Sequence, residues 1–412
     1  MHCICFFQEA SRDTQLGGVV VPYLYRQMSG WHNLGLSFAG GKRWHDNRNF
    51  TISTLGRLGF TRRPIEPLVE LECALTVQKL TEADGQPVDP ESLLPGAALN
   101  VMLQLLVSRR LELDDPRLLR MKRDSVVLFR IMAKIQTYLD FLPWLDKIAG
   151  ENSVSRQLGR VLDTFYEFID EVIAEREEVF NEDEEPRDLL DAYLSATPHQ
   201  RACDHGQSAA NLRVLMKDLV VGSLEGPYVM LSWLLLLLAE RGDVQQRVRA
   251  ELDAAIGADR APSIDDQHSC PYTLAVIDET LRYVTLTPFN RHFASAGGTT
   301  LLGHRIPAGC VLLVDIHSLH HDPAVWGDPA AFRPERFLGE RGARLRQHVR
   351  GFGFSSRACP AEQHSRSVLF LFTAGVLQKL VLRLPDGQRA THRACYSVSR
   401  RPSRPMLLAH PR

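Results

Sequence analysis

A mainly α-helical domain with a small β portion is the architecture these 412 residues specify, on three observations. Apolar residues recur at three- and four-residue intervals through most of the stretch from 68 to about 380, the period of a helix with one buried face. Beyond position 285 that period gives way to short β-like pieces separated by turns. Neither an internal repeat nor a low-complexity linker divides the chain, which favours one large domain over 1–412.

Each element follows from its own pattern. Residues 155–177 form an amphipathic helix that runs into an acidic stretch at 175–185, a solvated loop ahead of DLLDAYL. Residues 211–239 read as one long helix, apolar nearly all round in its second half and so destined for the protein's centre. Two further helices are expected at 243–255 and 271–283, and an apolar one at 367–380. The segments TTLLGHRI at 299–306 and CVLLVDI at 310–316 read as strands between Gly- and Pro-bearing turns, and 381–412 is strand-like and rich in Pro and Arg.

Composition removes several classes of function. Lys and Arg number 48 against 49 Asp and Glu, a net charge of −1, which offers no footprint for nucleic acid. With 44% hydrophobic residues the chain is no disordered polymer. The cysteines at 3, 5, 73, 203, 270, 310, 359 and 395 are irregularly spaced and fit neither a zinc motif nor a thioredoxin-type motif. MHCICFFQEASRD lacks the basic start and apolar core of a secretory signal. The longest apolar run, YVMLSWLLLLLA, falls short of the roughly twenty residues that span a bilayer and reads as a buried helix.

Four local patterns carry chemistry. Cys359 lies in the Gly- and Ser-rich loop FGFSSRAC just ahead of a helix, where orphan amides and the helix dipole stabilise a thiolate, and Arg357 beside it suits an anion. Alone, a cysteine at such a position is most often a plain buried thiol. Glu279 and Arg282, at i and i+3, share a helix face and can pair, and alone they read most simply as a surface ion pair. FRPERF places Arg333 and Arg336 between aromatics. Trp44 and Arg48 set an indole N–H and a guanidinium one helical turn apart, both suited to an acidic ligand.

Together and in this order, the four patterns resemble those of the cytochromes P450 of the microsomal animal type, haem-thiolate monooxygenases. Glu279 and Arg282 match that family's ExxR motif, Pro334 to Phe337 its PERF, and Trp44 and Arg48 its WxxxR. Phe352, Arg357 and Cys359 match its cysteine loop FxxGxRxCxG. LPWLDKI, PRDLLDAYL and HHDPAVWGDPAAFRPERFL are similar too, and the likeness is strongest to arthropod members of the drug- and steroid-hydroxylating clan.

The resemblance implies haem b with Cys359 as its axial thiolate, whose electron push assists O–O cleavage. It implies Phe352 packed beside the sulfur, and Trp44, Arg48 and Arg357 on the haem propionates, joined by Arg291 or His292. Glu279, Arg282 and Arg336 would form a buried ion triad in which loss of one member costs several kcal/mol. It further implies a hydrophobic substrate, with residues near Val221, Thr285 and Ser397 shaping the pocket. O2, an NADPH-dependent flavoprotein reductase and the endoplasmic reticulum membrane complete the implied setting, although no anchor is evident in this chain. Arg341, Arg344, Arg346 and Arg350 offer a docking face for an acidic electron donor or are an ordinary solvated loop.

Departures from the family pattern set further expectations. Ser355 and Ala361 replace glycines of the cysteine loop; if position 355 needs a positive φ, serine adds roughly 1–2 kcal/mol of strain. In the central helix the usual threonine is Gly226, followed by Pro227, which should kink the helix there. Either Ser223 and Glu225 hold the water that the threonine would position, making them catalytic, or oxygen activation is impaired and peroxide leaks. An oxygen-independent isomerase or dehydratase, or a non-catalytic haem-binding protein, then stand as alternatives to the monooxygenase. Trp44 comes so early that a shortened N-terminus, without the family's anchor, hinge and β-rich segment, is expected.

Overall fold

The computed structural model describes residues 23–30, 32–60, 63–135, 139, 142–196, 208–293, 298–308, 310–389, 398–403 and 406–412. The first half is helical: α1 (Tyr23–Met28), α2 (Gly41–Arg57), α3 (Glu66–Glu82), α4 (Leu94–Val107), α5 (Pro116–Ile135), α6 (Trp144–Ile148), α7 (Val154–Val179) and α8 (Leu189–Ser195). Then come α9 (Ser208–Ser223), α10 (Gly226–Glu240), α11 (Gly242–Ala255) and α12 (Pro271–Val284). The small β portion holds β1 (Phe289–Phe293), β2 (Thr299–Leu301), β3 (His304–Ile306) and β4 (Val311–Asp315). Short helices α13 (Ile316–His320), α14 (Pro323–Trp326) and α15 (Gly339–Arg346) lead to the long α16 (Glu362–Lys379), and β5 (Leu380–Arg383) and β6 (Leu408–Pro411) close the chain.

Among the described residues the strands form antiparallel pairs: β1 with β4, Arg291 opposite Leu313; β2 with β3; and β5 with β6, Val381 opposite His410. The core gathers around α10, buried from Tyr228 to Leu238, which packs against α4, α12, α16 and β5. A helix buried on every side has no polar face to offer water, hence the unbroken apolar run in its sequence. The stretches Pro90–Val107 and Ala209–Glu240 have the length and hydropathy of membrane spans, yet 78% of an apolar 18-residue window in each is inside the fold, so their apolar character serves the core.

Two expectations are corrected. The helix expected at 211–239 is interrupted: α9 ends at Ser223, and α10 starts at Gly226 with Pro227 in its first turn. Without an N–H, Pro227 cannot donate to the Ser223 carbonyl, so the apolar period continues while the hydrogen-bond ladder does not. The helix expected at 367–380 starts earlier, at Glu362, directly after the cysteine loop.

Candidate functional site

The cysteine loop occupies the turn between α15 and α16. Gly353 and Ser355 both take left-handed backbone, with φ of 84° and 63°, so serine sits where glycine is the unstrained choice. The Cys359 amide donates to the Phe352 carbonyl at 2.8 Å and the Ala358 amide to the Ser355 carbonyl at 3.2 Å, closing the loop on itself. Cys359 emerges just ahead of α16 with its exposed surface lining a cavity. Burial pushes its thiol above the ordinary range, against a hydrogen bond from the Ala361 amide and the charge of Arg48, which both pull it down. A metal cation is the natural agent for removing such a proton.

Trp44 and Arg48 approach from α2, one turn apart. The Arg357 guanidinium lies 3.8 Å from the centre of the buried Trp44 ring, and that of Arg48 lies 5.7 Å from it and donates to the Ala358 carbonyl at 2.9 Å. Burial, then the neighbouring charge of Arg48, depresses Arg357 to about 10, and burial lowers Arg48 as well. Two like charges held together at the rim of an apolar chamber make a receptor for anionic groups. The cavity they border has a volume of about 650 Å³ and is walled by Leu55, Met102, Leu219, Met230, Leu286 and Leu369 among others.

Behind this cavity the structure brings Glu279, Arg282 and Arg336 together. Arg282 grips the Glu279 carboxylate with two hydrogen bonds of 2.7 Å, Arg336 adds one at 3.1 Å, and all three side chains are buried. The remaining guanidinium hydrogens are spent on backbone carbonyls of His320, Pro329, Trp326, Asp328 and Ala331, which pins the segment 320–336 to α12. His320 extends the cluster: its Nε2 accepts from the Arg350 amide at 2.8 Å, so Nδ1 carries the proton and meets Thr285 Oγ1 at 2.9 Å.

Other expected positions fall elsewhere. Glu225 is not a wall residue of the cavity, although Gly222, Ser223, Gly226 and Pro227 are. Its carboxylate is taken by Ser399 and both prongs of Arg401, so it has no geometry for holding a water in the cavity. Ser223 lines the cavity, and its hydroxyl spends its proton on the Val220 carbonyl at 2.8 Å, the usual local bond of a helical serine. Arg291 and His292 sit in β1, with side chains outside the described residues, as is Ser397. Val221 and Thr285 are buried but do not line the cavity; their neighbours Gly222, Leu286 and Thr287 do. Arg346 is bound to Asp278 at 2.7 Å and Arg350 is half-buried, whereas Arg341 and Arg344 are exposed.

Residues that sequence reasoning missed are those whose partners lie far along the chain: Arg401, His320, and Asp278, which joins Arg346 to Arg366 on α16. Arg366 in turn lies over the Phe352 ring at 5.5 Å, tying the cysteine loop to that ion cluster.

Residues 14–409 match the family model described as Cytochrome P450. The chain belongs to this family. It is 32% identical over 385 residues to "Cytochrome P450 2D6" of Homo sapiens, covering 90% of this chain and 75% of that protein. It is 32% identical over 380 residues to "Cytochrome P450 2D28" of Mesocricetus auratus, with the same coverages. It is also 30% identical over 382 residues to "Farnesoate epoxidase" of Bombyx mori, covering 92% and 77%. As a cytochrome P450 of microsomal type it is a haem-thiolate monooxygenase, with haem b bound through a cysteine thiolate and O2 as oxidant. The residues present fit that group: a thiol opening into an apolar chamber ahead of a helix, and two guanidiniums that an anion would relieve.

Proposed function

We propose that this chain inserts one oxygen atom from O2 into a hydrophobic small molecule at a haem b ligated by Cys359. The observation that carries the reading is the convergence of Cys359, Arg357, Arg48 and Trp44 on one apolar cavity. Haem, when bound, supplies an iron at which O2 is reduced and split. The chain's own residues bind and orient. The Ala361 amide and the dipole of α16 support the thiolate. Arg48, Arg357 and the Trp44 indole hold the propionates, and the Glu279 triad keeps the backbone behind the loop from shifting. Leu36, Leu219 and Met230 exclude water from the substrate end.

Farnesoate, from the name of the moth relative, is a first substrate to test, since a flexible apolar acid suits such a chamber. A ferrous–CO difference spectrum tests ligation: the wild type should give the thiolate band of the family, and Cys359→Ser should abolish it. Product formation that requires both NADPH and O2 then separates a monooxygenase from an oxygen-independent isomerase, a reading favoured only by Gly226 standing where the threonine would be. Haem binding without any turnover would point to a non-catalytic haem protein.

Electrons come, in this reading, from an NADPH-dependent flavoprotein reductase on the endoplasmic reticulum membrane. The exposed Arg341 and Arg344, next to the Arg346–Asp278–Arg366 cluster, are the charges for it to meet. Charge reversal at Arg341 and Arg344 should slow haem reduction severalfold at low salt and little at high salt. Equal slowing at both would remove this face from the docking site.

A further inference from the structure

The interruption between α9 and α10 is held from outside the cavity. Gly222, Ser223, Gly226 and Pro227 face the chamber, and a Cβ built on either glycine meets no atom within 4 Å, so this wall is bare. Glu225, between them, turns to the C-terminal segment. Arg401 donates to its carboxylate from Nε at 3.0 Å and again from Nη2, and the Ser399 hydroxyl adds a third bond. The three side chains are 5%, 5% and 3% exposed, and the Arg401 guanidinium lies 5.3 Å from the centre of the Tyr228 ring on α10.

The same segment also reaches a second stretch of the chamber wall. The Arg400 amide donates to the Leu286 carbonyl at 2.7 Å, its guanidinium to the Val284 carbonyl at 2.6 Å, and its own carbonyl accepts from Trp233 Nε1 at 2.7 Å. Leu286 and Thr287 line the cavity. One short run, 399–401, therefore joins the helix interruption to the wall that follows α12.

We propose that Glu225 is a positioning residue: through Arg401 and Ser399 it fixes where the bare Gly222–Gly226 wall stands relative to residues 284–287, and so sets the shape of the substrate chamber, while carrying no proton to the reaction. The proposal rests on the haem-monooxygenase reading. A carboxylate gripped by a two-pronged guanidinium inside the protein is a structural charge, and losing one partner leaves the other buried and unpaired.

A double-mutant cycle tests it, with Glu225→Leu, Arg401→Leu and the two combined in the full-length haem-loaded protein. The readouts are the spectral dissociation constant of 4-phenylimidazole as a probe of the chamber, and peroxide released per NADPH consumed. Each single change should weaken probe binding about five- to tenfold, and the combined change should return it to within about threefold of wild type, because no charge is left alone. The solvent deuterium isotope effect on turnover should stay at the wild-type value in the combined variant. Should the single variants fold poorly, Arg401→Lys, which keeps the charge and loses the fork, should give an intermediate shift. Probe binding equal to wild type in Arg401→Lys, or unaltered probe binding with raised peroxide in Glu225→Leu and in the combined variant alone, would overturn the proposal and return Glu225 to proton delivery. A ferrous–CO thiolate band in the wild type keeps the haem reading standing whichever way the cycle falls; its absence there would fail that reading instead.

Discussion

Ser355 illustrates how a single side chain departs from what its backbone demands. Its φ of 63° lies where a Cβ crowds the following carbonyl, a cost of roughly 1–2 kcal/mol that glycine escapes in part. Ser355→Gly should therefore raise stability by about 1 kcal/mol, read as a higher denaturant midpoint with an unchanged slope. The sequence pointed to this strain only through the family motif, which has a glycine where Ser355 stands. Cys359, Arg357, Glu279, Arg282 and Arg336 were legible on the same ground, each sitting in a motif only a few residues long. Arg401 was not: its partner Glu225 is 176 residues away, and no local spacing announces such a pairing.

At the level of elements, the sequence displayed helical periods but not always where hydrogen bonding stops. Residues 211–239 stay apolar across the interruption, since α10 is buried all round and α9 is largely buried too; only Pro227 marked the break. β1 was missed because FNRHF sets three consecutive polar residues between two phenylalanines and so lacks the alternation of a half-buried strand, and its pairing with β4 is a long-range fact. The contact of α3 with α16 gives an element-scale prediction. A Cβ at Gly375 would stand 2.7 Å from the buried Cys73 sulfur, so these helices approach as closely as glycine allows. Gly375→Ala should cost about 1–3 kcal/mol by overpacking, and adding Cys73→Ala should recover a good part of it, measured by thermal unfolding of the single and double variants.

Across the whole molecule, buried neutral histidines contribute to the response to acid. Burial, then the charge of Arg282, drives His320 down to about 3, and burial drives His364 to about 4, where it stacks on Phe60 at 4.0 Å and donates to that residue's carbonyl. The unfolded chain protonates both near 6.5, and the folded chain resists. The stability they confer is therefore complete above pH 6.5 and drains away as pH falls toward 4 and 3, at up to about 1.4 kcal/mol per pH unit for each. Unfolding midpoints should be flat above pH 6.5 and decline below it. His320→Gln, which keeps a donor and an acceptor but cannot take up a proton, should make that decline shallower; an identical slope would show that other groups dominate.

The cavity walls are drawn from Leu36 near the start of the described chain through to Leu369 within α16. A chain still emerging from the ribosome has Trp44 and Arg48 long before it has Arg357 and Cys359, so the chamber cannot hold a cofactor until both α2 and the loop ahead of α16 have been made. Capture of the pigment thereby waits on two segments far apart in the chain, and colour becomes a record that they have found each other.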